Sequence, residues 1–285
     1  MSVYTSINKR QLEKFLLLYS LGELVDFSGI QAGIENTNYA VNTTQGEFIL
    51  TIFEKLSAKE LPCFLGLLKH LGMNDFPAPE PQGCMEANFL NTFKGKPAAL
   101  FNRLPGYSIV NPSVAQCKEI GIYLARLHLY GKHFGFQKQN SKNLAGCQSI
   151  FKRVRPQLAN DDIALLDSEF DFQSSCTLPN LPQGIIHADC FKDNVLFDQG
   201  RISGILDFYN ACNDYYLFDI AVTSNDWCAE NQTINEQKSQ ALLSGYQSIR
   251  QLTVDEIKYL RVFLRRAALR FWLSRLEHQL NPKTG

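Results

Sequence analysis

The chain has no excess of either charge: 28 Lys and Arg stand against 28 Asp and Glu. That balance leaves no broad basic surface of the kind a nucleic-acid binder needs. Apolar runs long enough to cross a bilayer are missing too. Near the N-terminus, Glu13 and Lys14 interrupt the region before Phe15-Leu-Leu-Leu18, and no small-residue cleavage site follows Leu21-Gly-Glu23. Leu12, Phe15, Leu16 and Tyr19 instead share one face of an amphipathic helix. The 8 cysteines include no C-x-x-C pair, which excludes a zinc ribbon or thioredoxin-like centre and reads as reduced thiols in a cytoplasmic protein. There is no internal repeat and no low-complexity stretch. The partner expected is a small molecule, not nucleic acid and not a membrane; oligomeric state is not legible.

What is present is enough for a core, since 45% of the 285 residues are hydrophobic. Such a length makes one large domain or two ordinary ones. A polar segment, Ser28 to Asn38, leads into Tyr39-Ala-Val41, a turn at Thr43 to Gly46, and Phe48-Ile-Leu-Thr-Ile-Phe53, the pattern of an antiparallel meander. Ser57-Ala-Lys-Glu60 matches a capping box opening a helix with Leu61, Phe64, Leu65, Leu68 and Leu71 inward. Pro97 to Leu104 reads as a further strand. At Leu104-Pro-Gly106 the character changes to helical: Ser113 to His128 with Val114, Cys117, Ile120, Leu124 and Leu127 inward, and shorter helices at Ile150 to Leu158 and Ile163 to Phe170. A hairpin follows, Val195 to Phe197 and Ile202 to Leu206. The last helix starts at Thr253, with Glu256 as a second capping box and Ile257, Leu260, Leu264, Ala267 and Phe271 as its buried stripe. We therefore expect an α+β chain of two lobes, a small antiparallel-sheet lobe over residues 1–103 and a larger, mainly helical lobe over 104–285. Ligands are expected in the cleft of such a pair.

The loop His187-Ala-Asp-Cys-Phe-Lys-Asp-Asn194 lies between the apolar runs Ile185-Ile186 and Val195-Leu-Phe197. Phosphoryl transfer needs a carboxylate to orient the acceptor hydroxyl, oxygen ligands for magnesium, and donors for the phosphates. In His187-x-Asp189-x-x-x-x-Asn194, Asp189 can accept a hydroxyl proton and Asn194 can bind a metal. Asp207, on Gly204-Ile-Leu-Asp-Phe208, would add the metal carboxylate, and magnesium requires little more than such hard oxygens. Taken singly, His187 is a core histidine supporting the loop, Asp193 a surface charge, and Asp207 a strand-end turn residue. Together they have the order a kinase-like site needs.

These residues resemble the aminoglycoside and choline kinase branch of the protein-kinase-like fold. Within it the sequence is most similar to the homoserine kinase family, through Gly33-Ile-Glu-Asn-Thr-Asn-Tyr39, Phe48-Ile-Leu-Thr-Ile-Phe-Glu-Lys55, Leu61-Pro-Cys-Phe-Leu-Gly66, Ile186-His-Ala-Asp189, Asp207-Phe-Tyr-Asn-Ala-Cys-Asn-Asp214, Asn225-Asp-Trp-Cys228 and Leu269-Arg-Phe-Trp-Leu-Ser-Arg-Leu276. The resemblance implies ATP-dependent, magnesium-dependent phosphorylation of a small amino-acid hydroxyl, in threonine biosynthesis. It implies Asp189 as catalytic base, with Asn194 and Asp207 as metal ligands. A turn over the phosphates would use Gly33, Asn36, Thr37 and Asn38. Backbone groups at Asn102, Arg103 and Leu104 would hold the adenine. For the acceptor, Arg suits a carboxylate, and Asp or aromatic rings suit an ammonium. Arg266, Arg270 and Arg275 lie on the last helix; Arg270, with Tyr209, Asp214 and Trp227, is the expected acceptor set. One departure stands out: Thr51 occupies the strand position where kinases usually carry a phosphate-contacting Lys. That departure keeps a non-catalytic nucleotide-binding scaffold as an alternative, beside a choline or aminoglycoside kinase.

Overall fold

In the computed structural model, which describes residues 4–31 and 35–280, the chain divides into two units. The first is Met1–Gly106 together with Ser203–Leu206, the second Tyr107–Ile202 and Asp207–Gly285. The short segment joins the first unit through hydrogen bonds from Ile205 N to the Pro77 carbonyl (2.6 Å) and from Ser203 Oγ to the Pro105 carbonyl (2.6 Å).

The first unit contains α1 (Lys9–Leu16), β1 (Leu24–Ile30), β2 (Thr37–Thr43), β3 (Gly46–Ile52), α2 (Leu61–Gly72), β4 (Asn91–Phe93) and β5 (Lys96–Asn102). Its sheet runs β1-β2-β3-β5-β4, every neighbouring pair antiparallel. Alternate residues Tyr39 and Val41, Phe48, Leu50 and Ile52, Ala98 and Leu100 bury one face against Leu12, Phe15 and Leu16 of α1. Asn8 and Gln11 close a capping box at the start of α1. The box expected at Ser57 forms only in part. Glu60 accepts from Ser57 N and Oγ at 3.0 and 2.7 Å, but residues 58–60 form a turn and the helix begins at Leu61.

The second unit contains β6 (Tyr107–Ser108), α3 (Val114–Gly131), α4 (Leu144–Val154), α5 (Asn160–Ser175), β7 (Gln183–Ile186), β8 (Val195–Asp198), the start of β9 (Arg201–Ile205), β10 (Cys212–Tyr215), α6 (Tyr216–Trp227), α7 (Glu236–Gln247) and α8 (Val254–Leu280). Backbones of α3 and α7 meet at two glycines. A Cβ at Gly121 would lie 2.1 Å from the Leu242 carbonyl oxygen, and one at Gly245 would lie 2.0 Å from that of Lys118. This approach brings His128 of α3 to Tyr246 of α7.

Two inward readings fail. Val114 is largely exposed on the first turn of α3. On α8, Ile257 and Phe271 are exposed, while Glu256, Phe263, Ala267, Leu269, Arg270 and Leu273 are buried. The buried face is turned by about one residue, or 100°. Apolar periodicity could not place it, because two charged side chains, Glu256 and Arg270, belong to it.

Candidate active site

β7 and β10 pair antiparallel with Ile186 opposite Cys212 and Gly184 opposite Asp214. The chain leaves β7 directly into the His187–Asn194 loop. Ala188 adopts a left-handed backbone (φ 63°), as does Asp207 (φ 59°) where it leads into the turn Phe208–Asn210. Non-glycine residues hold such conformations only where their surroundings fix them.

Around Ala188 and its loop, those surroundings come mainly from one face of α6. Asp219, Asp226 and Trp227, seven and eight residues apart, align on that face. Asp219 Oδ2 accepts from His187 N and Oδ1 from Ala188 N, each at 2.8 Å. Asp226 accepts from Lys192 N at 2.7 Å, and Trp227 Nε1 donates to the Cys190 carbonyl at 3.0 Å. Burial pushes the Asp219 carboxyl up, but hydrogen bonding from His128 and the charge and backbone around His187 outweigh it, so its pKa lies below the ordinary value. Burial dominates at His128 and lowers its pKa, which keeps the imidazole neutral. Nε2–H therefore donates to Asp219 (3.1 Å) while Nδ1 accepts from the Tyr246 hydroxyl (2.7 Å). Arg250 donates to Tyr246 and makes two bonds to the buried Glu256.

Asp189 is clamped at both oxygens. Arg270 Nη2 reaches Oδ1 at 2.7 Å, and Asn210 Nδ2 donates to Oδ2 at 3.1 Å. Arg270 is 4% exposed, and its guanidinium also lies over the Phe191 ring. Asn194 Nδ2 donates to the Asp189 carbonyl at 2.9 Å, which leaves its amide oxygen for other work. His187, fully buried, accepts from Asp189 N through Nδ1 (3.3 Å) and tilts against Phe208. Asp193 is exposed. No group of three or more His, Cys, Asp or Glu forms a metal cage among the described residues, so an ion here would draw on few protein oxygens. Asn194 and Asp207 fit that requirement for magnesium, which keeps several waters.

Of the expected acceptor set, Trp227 is a correction: it is 0% exposed, and its indole supports the loop from behind. Arg270 faces Asp189 itself, a contact no helical periodicity indicates. Asp214 accepts from Asn140 Nδ2 (2.6 Å) and Tyr215 N (2.7 Å), with burial raising its pKa above the ordinary value. Burial likewise raises the Tyr209 phenol, with the Asp207 charge adding to it.

In the first unit, Gly33 lies outside the described residues. Asn36 is buried in the bend before β2, whereas Thr37 and Asn38 are already ladder residues of that strand. Thr37 Oγ1 accepts from Tyr4 N and Thr5 N and donates to Glu54. Thr51 Oγ1 donates to Asn38 Oδ1 at 2.8 Å, so the hydroxyl at the usual lysine position is tied to the preceding strand. Lys55 pairs with Glu35 at 3.8 Å. Asn102 N donates to the Glu80 carbonyl and Arg103 N to that of Glu47, each at 3.1 Å. Of these three backbone N–H groups, that of Leu104 makes no backbone hydrogen bond among the described residues.

Known proteins similar to this chain are phosphotransferases. Residues 26–252 fit the phosphotransferase enzyme family. The chain is 42% identical to the homoserine kinase of Methylobacillus flagellatus, across 100% of this chain and 90% of that protein. Against the homoserine kinase of Polaromonas naphthalenivorans the identity is 40%, over 97% and 89%. The chain belongs to the homoserine kinase family. Solved structures agree on the fold: amicoumacin kinase hAmiN, in complex with AMP-PNP, Ca2+ and Ami, superposes with a TM-score of 0.75 at 16% identity, covering 98% of this chain and 89% of that one. Choline kinase from Cryptosporidium parvum Iowa II gives 0.67 at 14% identity, over 94% and 89%. The α+β, protein-kinase-like architecture read from the sequence is thus the observed one.

What the sequence reading missed in this member of the homoserine kinase family is the support of the loop. Asp219 and Asp226 carry no motif that marks them in the sequence, yet both accept from loop N–H groups. Their seven-residue spacing with a neighbouring Trp was the available signal, but only once α6 is known to lie behind the loop.

Proposed function

We propose that this chain transfers the γ-phosphoryl group of ATP to the hydroxyl of L-homoserine, forming O-phosphohomoserine, a step towards threonine, in the cytoplasm. The observation that carries the reading is whole-length similarity at 38–42% identity to homoserine kinases, joined to a carboxylate, Asp189, fixed at both oxygens. Asp189 accepts the hydroxyl proton as that oxygen forms its bond to the γ-phosphorus and the bond to ADP breaks. Magnesium bound through Asn194 and Asp207 would offset charge on the phosphates. The first unit is the nucleotide-binding part: backbone groups at Gly33 and Asn36, ahead of the β2 ladder, would serve the phosphates, and Leu104 N–H the adenine. The second is the catalytic and acceptor part.

Asp189 is also what separates this reading from a scaffold that binds nucleotide without turning it over. A loop with three α6 anchors and a doubly held carboxylate is built to orient a reacting hydroxyl. The test is a coupled assay of magnesium-ATP turnover with homoserine, serine, kanamycin and choline at equal concentration. Robust turnover is expected for homoserine, at least about a hundredfold less for serine, whose hydroxyl stops one methylene short, and none for the other two. Turnover of kanamycin or choline with silence on homoserine would overturn the substrate and leave the kinase.

A further inference from the structure

On α8 and the residues just before it, Arg250, Arg265, Arg266 and Arg270 are buried or half-buried, and three of them are matched by carboxylates: Arg250 with Glu256, Arg265 with Glu169, and Arg270 with Asp189. Arg266 is the exception. It is half-buried, its Nε donates to Gln173 Oε1 at 2.9 Å, its guanidinium lies over the Phe263 ring, and it has no carboxylate partner among the described residues. Removing a cation from water without a counter-charge is costly, and burial accordingly pushes its pKa down. The group that holds it is rigid. Gln173 is 1% exposed, with Nε2 donating to Glu169 (2.9 Å) and to the Val262 carbonyl (3.1 Å). Among the described residues its two terminal nitrogens have no hydrogen-bond partner, so the guanidinium, fixed through Nε, is a fork preorganised for a carboxylate.

Its neighbours fix the class of ligand. Arg266 and Arg270 are four residues apart on α8, hence on one face and about 6 Å apart along the axis. Arg270 ends on Asp189. Tyr215, next to Asp214 on β10, packs edge-on against Phe263, the ring beneath Arg266, so Asp214 and Arg266 flank one aromatic contact without forming an ion pair. Asp214 is held by Asn140 Nδ2, and a cation beside it would offset the cost of its burial.

We infer that Arg266 binds the carboxylate of the acceptor and Asp214 its ammonium, so that the acceptor's chain length sets whether its hydroxyl reaches Asp189. The inference rests on the amino-acid kinase reading above and names the residues that make it selective. Homoserine separates its carboxylate carbon from its hydroxyl oxygen by four bonds, about 5 Å when extended, close to one turn of α8. Serine loses one bond and stops short. An acceptor with amines alone leaves Arg266 unmatched and adds repulsion.

Two analogues divide the roles: 3-aminopropan-1-ol is homoserine without its carboxylate, and 4-hydroxybutanoate is homoserine without its amine. Steady-state kinetics should show that Arg266→Gln raises KM for homoserine at least about tenfold, the low end for a hydrogen-bonded charge, with kcat within a few-fold. The same variant should leave KM for 3-aminopropan-1-ol where it is in the wild type. Asp214→Asn should raise KM for homoserine and not for 4-hydroxybutanoate. Arg266→Lys, which keeps charge and loses the fork, should fall between, and serves if the glutamine variant does not fold. Equal KM increases for homoserine and 3-aminopropan-1-ol in either Arg266 variant would show a structural role and overturn the assignment, as would an unchanged KM for homoserine. A wild-type protein inactive on homoserine overturns the functional reading and this inference with it; an active one with indifferent Arg266 variants overturns the inference alone.

Discussion

The loop that carries Asp189 and the strand that carries Thr51 handle buried polarity in opposite ways. Around Asp189, full charges are drawn in and matched: Asp219 and Asp226 on loop N–H groups, Arg270 on the base, and Arg250 with Glu256 behind Tyr246. Around Thr51 the polar core is mostly hydroxyl and amide, Thr51 on Asn38 and Thr37 on the Glu54 that pairs with Lys96. The second unit fixes charge in place, which would suit groups that meet a moving proton and a developing negative charge. The strand presents no buried cation of its own at Thr51, so under the proposed function phosphate binding would fall to backbone N–H groups.

The sharpest way to break this contrast is at the base. Asp189→Asn keeps an oxygen for Arg270 but cannot take a proton, so kcat should fall at least about a hundredfold while ATP binding by calorimetry stays near wild type. Near-normal turnover would remove Asp189 from its role.

Next comes the anchor. Asp219→Asn leaves two loop N–H groups and His128 poorly matched in a dry site, and should lower stability by about 3 kcal/mol in urea unfolding as well as reduce kcat. Asp219 has a depressed folded pKa. Its contribution is therefore complete above the ordinary carboxylate value and is lost as pH falls through the lower folded value. Wild-type stability should thus drop more steeply than that of the variant in this acid range; parallel acid profiles would argue against an ionised anchor.

A smaller effect separates metal ligand from surface charge. Asp207→Ala should raise the magnesium concentration needed for half-maximal rate and weaken ATP binding, whereas Asp193→Ala, exposed on the same loop, should do neither. Identical magnesium titrations would undo the pairing of Asp207 with Asn194. The smallest effect belongs to the strand. Thr51→Val removes one hydrogen bond to Asn38 and should cost about 1 kcal/mol of stability, with turnover changed only a few-fold. A loss of turnover as large as that of Asp189→Asn would mean that Thr51 meets the phosphates directly.

The loop from His187 to Asn194 was legible because its polar residues stand between two apolar strands, and β2 and β3 because period-two alternation survives in a one-sided sheet. The α8 stripe was not, since its buried face includes Glu256 and Arg270, whose burial depends on partners 6 and 81 residues away. Trp227 looked like a cation-binding aromatic beside Asp226, and only the packing of α6 turns it inward. Arg266 and Arg275 could not be told apart by sequence; Gln173, far along the chain on α5, is what distinguishes Arg266.

The central claim is that Asp189 directs the γ-phosphoryl group of ATP onto the side-chain hydroxyl of homoserine. Phosphorus NMR of the wild-type protein with magnesium-ATP and L-homoserine tests it most directly. A phosphomonoester resonance coupled to the terminal methylene protons should grow in step with ADP, and should be nearly absent with Asp189→Asn. Release of ADP with inorganic phosphate alone, or at the same rate without homoserine, would contradict the account.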